Sequence, residues 1–227
     1  MPNRLIAIGD IHGQRRKLEQ LLRLLQATEK DQLVFLGDYI DRGPDSRGVI
    51  ETLLELRNCL PETIFLKGNH EQMLLNALLE ENFLTESIFT DLSTPNSASL
   101  LFSDITIYLR NGGMATLKSY GIKQLQELPR THLEFIRQTR LYFRMDGFLF
   151  VHAGARDDLP LEEQDEYTLL WERNSAPGSE EIHVVGHSPT PGGQPLFEEG
   201  RYSLDTGAGL GNQLTACDVY TRQIWQS

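Results

Sequence analysis

The sequence predicts a mixed α/β fold on three observations. Apolar runs of strand length alternate with helical patterns in the first half, strands joined by short turns follow Phe143, and glycine closes most of the runs. Residues 5–8 form the first run and stop at Gly9-Asp10-Ile11-His12-Gly13. Residues 14–26 then place Leu18, Leu21, Leu22 and Leu25 at helical spacing, leaving Arg15, Arg16, Lys17 and Arg23 for solvent. The order repeats. Residues 33–36 run into Gly37-Asp38-Tyr39-Ile40-Asp41-Arg42-Gly43, and residues 44–58 carry Val49, Ile50, Leu53 and Leu54 as an apolar face. Residues 64–66 lead through Gly68-Asn69-His70 into a helix over 71–80. Such crossover units predict a parallel sheet.

Beyond Phe143, residues 148–151 lead to His152-Ala153-Gly154 and Val184-Val185 leads to Gly186-His187, with further strands around Tyr202 and over 214–220. The turn Met145-Asp146-Gly147 and the short separations predict antiparallel pairing here. Residues 81–140 read as mostly helical, broken at Thr94-Pro95-Asn96 and at Asn111-Gly112-Gly113, and are expected to form a cap-like insertion in one domain spanning 1–227. Asn111-Gly112-Gly113 is open to two readings, a plain turn or an element near the substrate. The acidic stretch 157–166 reads as a solvated face, and residues 203–207 as a structural turn beside the site.

With 40% hydrophobic and 23% charged residues, the composition fits a soluble globular chain, and no apolar stretch approaches the roughly 18 residues of a membrane span. The first apolar run is too short for a secretory signal, so a cytoplasmic location without membrane partners is expected. Cys59 and Cys217 have neither metal-ligand nor disulfide-framework spacing and are expected to be small, at least half-buried fillers. A net charge of −11 argues against a surface that coats nucleic acid but not against a phosphorylated substrate, because bound cations can reverse the local field.

The chemistry lies at the strand ends, where open α/β sheets bind ligands. Asp10 and His12 are two residues apart at the end of a strand, a spacing that turns both to one side and lets them chelate one ion. Asp38 follows the same strand-Gly-Asp arrangement, and its two oxygens could bridge a first ion to a second. Asn69 offers an amide oxygen, while His152 and His187 offer imidazoles at other strand ends. Oxygen and nitrogen donors without thiolate favour Mn, Fe or Zn. Four of the six histidines fall in these loops; His132 and His183 read as packing or surface residues.

The ordered set G-D-I-H-G, G-D-Y-I-D-R-G, G-N-H-E, H-A-G and G-H resembles the calcineurin-like metallophosphoesterases, and within them the phosphoprotein phosphatases, whose bacterial and phage members are short chains. The resemblance spans roughly residues 9–207 and implies two mixed β-sheets packed as a sandwich flanked by helices. It implies two divalent ions, manganese first among the expectations, with Asp10, His12 and bridging Asp38 at one and Asp38, Asn69, His152 and His187 at the other. It further implies a metal-activated water as nucleophile, His70 as general acid with Asp41 holding its ring, and Arg42, Asn69 and Arg173 as phosphate contacts, Arg42 being suited to a bidentate grip. Tyr39, Gly43 and Glu71 are expected to shape the loops. The expected activity is phosphomonoester hydrolysis on phosphoserine and phosphothreonine proteins. The alternative is a symmetrical dinucleoside tetraphosphatase, whose relatives share these motifs but carry extra length that this chain lacks. A catalytically inactive phosphoprotein-binding scaffold is the less favoured third reading, since binding alone does not require a general acid.

Overall fold

The computed structural model describes residues 2–89, 103–173 and 180–227. β1 (Arg4–Ile8), β2 (Asp31–Phe35) and β3 (Ile64–Phe65) are parallel, joined by α1 (Arg15–Leu25) and α2 (Ser46–Cys59). β9 (Thr215–Asp218) returns antiparallel beside β1, with β10 (Gln223–Gln226) outside it, so the first sheet runs β10-β9-β1-β2-β3. The second sheet runs β4 (Tyr142–Met145), β5 (Phe148–Val151), β6 (Ile182–Val185), β8 (Arg201–Ser203) and β7 (Leu196–Glu198).

Two mixed sheets flanked by helices are the predicted architecture, with one correction. β5, β6 and β8 are parallel neighbours, and only the outer strands of this second sheet are antiparallel. The 30 residues between β5 and β6, which include the helix Glu166–Trp171, make a crossover where the short apolar runs suggested simple turns.

The pleat sorts the core. Leu5, Ala7, Val34 and Leu36 face Phe148, Phe150, Val184 and Tyr202 between the sheets. Ile6, Ile8, Leu33 and Phe35 face the other way, onto Leu18, Leu21 and Leu25 of α1 and Val49, Ile50 and Leu53 of α2. The outer face of the second sheet, Leu149, Val151 and Val185, is covered by Leu161 and Leu169.

α3 runs from Asn69 to Phe89, longer than the predicted 71–80. The break expected at Thr94-Pro95-Asn96 lies outside the described residues. Helices Asp104–Tyr108, Met114–Tyr120 and Arg130–Arg137 follow, the first two joined through Leu109–Gly113, where Gly112 has φ 115°. His132 is buried against the Tyr120 hydroxyl and His183 is buried near Asp157, in packing roles as expected. Cys217 is buried, but Cys59 is exposed, because α2 ends there and the chain turns to solvent. No helix among the described residues is long and apolar enough to cross a membrane.

Candidate metal centre

The loops after β1, β2 and β6 enter the site through unusual backbone. His12, Asp38, Asp41, Arg42 and His187 all have positive φ, between 47° and 71°, a region that costs non-glycine residues free energy and persists only where the surroundings enforce it. The enforcement is visible around Asp38. Buried Glu71 accepts backbone N–H bonds from Asp38, Tyr39, Ile40 and Gly68, so one carboxylate gathers the β2 and β3 loops. The loop-shaping role expected of Glu71 is this one.

Asp38 is at the centre. Its Oδ2 lies 3.4 Å from His12 Nε2, its Oδ1 lies 3.5 Å from His152 Nε2, and Oδ1 also accepts the His70 backbone N–H. Ligand atoms of Asp38, His152 and His187 lie within 4.8 Å of one another, as do those of His12, Asp38 and His70. The second grouping contains His70, expected as an acid, and not Asp10, whose two oxygens accept the His187 backbone N–H at 3.2 and 3.1 Å.

The proton inventory shows that these donors fit a cation. His152 Nδ1 faces the Leu36 carbonyl at 2.8 Å, which only accepts, so Nδ1 carries the hydrogen and Nε2 presents a lone pair. That lone pair faces Asn69 Oδ1 at 2.9 Å, and the same oxygen lies 3.1 Å from His187 Nδ1. Burial lowers the pKa of His152 and takes His187 down to about 3, so both rings are neutral. The His152 Nε2 lone pair thus faces the Asn69 oxygen in a buried place, while His187 Nε2 has no hydrogen-bond partner among the described residues. A divalent ion between such atoms resolves the conflict, and imidazole, carboxylate and amide oxygen suit Mn, Fe or Zn. His12 follows the same rule: Nδ1–H donates to the Ile40 carbonyl at 3.0 Å, burial takes its pKa to about 3, and Nε2 is left as an acceptor.

Buried carboxyls complete the centre. Burial, then Asp205 and Asp38, push Asp10 well above its ordinary pKa, and burial carries Asp205 to about 6. The sequence pattern places Asp205 only in a structural turn. It follows β8 as Asp10 follows β1, and that strand-then-Asp pattern is the signal that could have found it.

Arg42 bridges the two imidazoles, Nη1 donating to His12 Nε2 at 2.8 Å and Nη2 to His70 Nε2 at 2.9 Å. His70 Nδ1–H donates to Asp41 Oδ2 at 2.8 Å. Burial lowers the His70 pKa, but Asp38 and the bond to Asp41 outweigh it, and the net shift is upward. Arg173 lies exposed on the bend after Trp171, near enough for its charge to add to the depression of His187. Of the expected site residues, the structure brings together Asp10, His12, Asp38, Asp41, Arg42, Asn69, His70, His152 and His187, and leaves Arg173 at the margin.

Residues 3–208 match the family model described as calcineurin-like phosphoesterase. A "Bis(5'-nucleosyl)-tetraphosphatase, symmetrical" of Coxiella burnetii (strain CbuG_Q212) is 35% identical over 277 residues, covering 100% of this chain and 93% of the relative. That alignment is longer than the 227-residue chain, so the relative carries its added length as insertions where this chain has none. The PP2A-like serine/threonine-protein phosphatase PPG1 of Candida albicans is 43% identical over 65 residues, 28% of this chain and 16% of that protein. In fold, the chain resembles a solved candidate diadenosine tetraphosphatase (TM-score 0.69, 23% identity, 100% of this chain and 95% of that one). A cold-active protein-tyrosine phosphatase of a psychrophilic Shewanella has a similar fold (TM-score 0.67, 16% identity, 100% of this chain and 80% of that one).

Proposed function

Since the chain belongs to the calcineurin-like phosphoesterase family, we propose that it is a symmetrical dinucleoside tetraphosphatase, cleaving the central anhydride of a substrate such as diadenosine tetraphosphate into two ADP. The observation that carries this reading is end-to-end sequence similarity at 35% identity to an enzyme of that name, whereas serine/threonine-protein phosphatases such as PPG1 align in sequence over under a third of the chain. The protein-phosphatase activity expected from sequence rests on chain length; that difference stands, and similarity along the whole chain outweighs it here.

In this reading Asp10, His12 and Asp38 hold one divalent ion and Asp38, Asn69, His152 and His187 the other. When bound, such ions supply a water of lowered pKa and neutralise phosphate charge. The remaining work belongs to side chains. Arg42 rests between two imidazoles and has a fork that matches phosphate oxygens, so an anionic substrate competes for it. Its transfer to phosphate leaves His70 Nε2 free to carry the proton that its raised pKa favours. The oxygen of a water that has given one proton to solvent joins phosphorus, the bridging P–O bond breaks, and His70 gives its proton to the departing oxygen while Asp41 holds the ring; His70 regains a proton from solvent.

The test is kcat/KM for diadenosine tetraphosphate against phosphoserine and phosphothreonine peptides at matched free Mn²⁺, with products separated by chromatography. The expected result is at least a roughly tenfold preference for the dinucleotide, about 1.4 kcal/mol of transition-state discrimination, with ADP as sole product. A preference for the peptides restores the protein-phosphatase reading.

A further inference from the structure

We infer that Tyr108 and Thr116, outside every ligand loop, are positioning residues that act on His70 through Asp41; the inference rests on the proposed role of His70 as the acid. Asp41 is fully buried, and each of its polar contacts can be assigned a direction. Oδ2 accepts the His70 Nδ1–H, while Oδ1 accepts the Tyr108 hydroxyl at 3.0 Å and the Thr116 hydroxyl at 2.6 Å. A carboxylate only accepts, so the single Thr116 hydroxyl hydrogen is committed to Asp41. Thr116 Oγ1 then accepts from the Asp41 backbone N–H at 3.0 Å and from the Ser46 hydroxyl at 2.9 Å, which uses both of its lone pairs. Ser46 Oγ in turn accepts the Asp41 N–H at 3.0 Å.

Two hydroxyls on Oδ1 fix the plane of the carboxylate and leave Oδ2 facing the imidazole. Without them the buried carboxylate could rotate toward other donors, and the ring of His70 would lose its anchor.

The same segment also holds Arg42. The Gly112 carbonyl accepts the Arg42 N–H at 3.3 Å, and a Cβ on Gly112 would come within 2.9 Å of the Arg42 backbone nitrogen. A Cβ on Gly113 would come within 2.5 Å of the Tyr108 ring. The two glycines therefore allow residues 108–116 to close on Asp41 and Arg42, consecutive non-glycine residues at φ 71° and 62°. Of the two readings of Asn111-Gly112-Gly113, this geometry supports the one beside the site. The segment that closes this side of the site thus orients both the proton donor and the phosphate contact.

The experiment uses the full metal-loaded chain with Tyr108→Phe, Thr116→Val, the conservative Thr116→Ser and the control His70→Asn. Each is assayed on phenyl phosphate, whose leaving group needs a proton, and on p-nitrophenyl phosphate, whose leaving group needs it less. Metal per chain is measured by elemental analysis, and the His70 imidazole N–H resonance is followed in zinc-loaded protein. Thr116→Val is expected to lower kcat on phenyl phosphate about tenfold, with a smaller loss on p-nitrophenyl phosphate and KM and metal content unchanged, as for loss of a group that orients a functional histidine. Tyr108→Phe should act in the same direction, Thr116→Ser should recover most of the rate, and both hydroxyl deletions should shift the imidazole resonance. Equal losses on both substrates, or an unmoved imidazole resonance in both deletions, overturn the inference. If His70→Asn itself loses both substrates equally, the acid assignment fails, and the imidazole resonance then decides the positioning claim by itself. Thr116→Val buries a methyl beside Ser46, so if that variant does not fold, Tyr108→Phe carries the test.

Discussion

Asp38 turns its two oxygens to imidazoles from different loops, Oδ2 to His12 and Oδ1 to His152, while its own backbone nitrogen is held by Glu71. A residue so placed belongs to both halves of the centre, and its loss cannot be confined to one. Asp38→Asn keeps the size and the ability to accept at one atom but replaces the other oxygen with a donor. Metal content, measured by elemental analysis after equilibration with Mn²⁺, should fall from about two ions per chain at both positions together, with affinity reduced by more than about a hundredfold, beyond what loss of an outer supporting contact costs. A variant that keeps one position fully occupied would show that Asp38 does not bridge.

The elements that carry ligands were legible because their signals are local: a short apolar run, a glycine and a ligand lie within ten residues, as in residues 5–13 and 33–43. Contacts that span the chain were not legible. Tyr108 and Thr116 fall in helical patterns and meet Asp41 across 67 and 75 residues, and β9 joins β1 from the far end of the sequence. The loop after β8 is similar. Gly209 sits in the turn Ala208–Leu210, and a Cβ there would lie 2.7 Å from His12 Cβ and 2.8 Å from its Cδ2. Those atoms belong to the root of a buried side chain and cannot swing aside cheaply. Gly209→Ala is therefore expected to tilt the His12 ring and weaken one ion at least about tenfold, leaving the ion at Asn69, His152 and His187 in place. Calorimetric titration with Mn²⁺, run beside the parent, should show one site weakened relative to the parent and the other unchanged. Loss of both ions, or of neither, would rule out this contact as a specific brace.

At the scale of the whole molecule the centre joins the sheets. Asp10, Asp38 and Asn69 follow β1, β2 and β3, whereas His152 and His187 follow β5 and β6, so ions bound among them cross-link the two layers of the sandwich. Ligands that bind only the folded state stabilise it, by about 2.7 kcal/mol at a hundredfold excess over Kd for each site. The pH dependence of this gain has a definite sign. In the metal-free fold Asp205 holds its proton up to about pH 6 and Asp10 well above its ordinary value, whereas the unfolded chain releases both near pH 4. The contribution of Asp205 to the metal-free fold is thus fully present below about pH 4 and is lost as pH rises to about 6, and Asp10 contributes in the same direction. His12 and His187, held near 3 by burial, destabilise the fold as pH falls from about 6.5 to 3, but they are neutral with or without an ion and cancel in the comparison. The gap in Tm between Mn²⁺-loaded and chelated protein should therefore widen steadily from pH 4.5 to 6.5, and ion binding at pH 5.5 should release protons, read by calorimetry in buffers of different ionisation enthalpy. A gap that stays constant across that range, with no proton release, would mean that the buried carboxyls are already ionised in the metal-free fold.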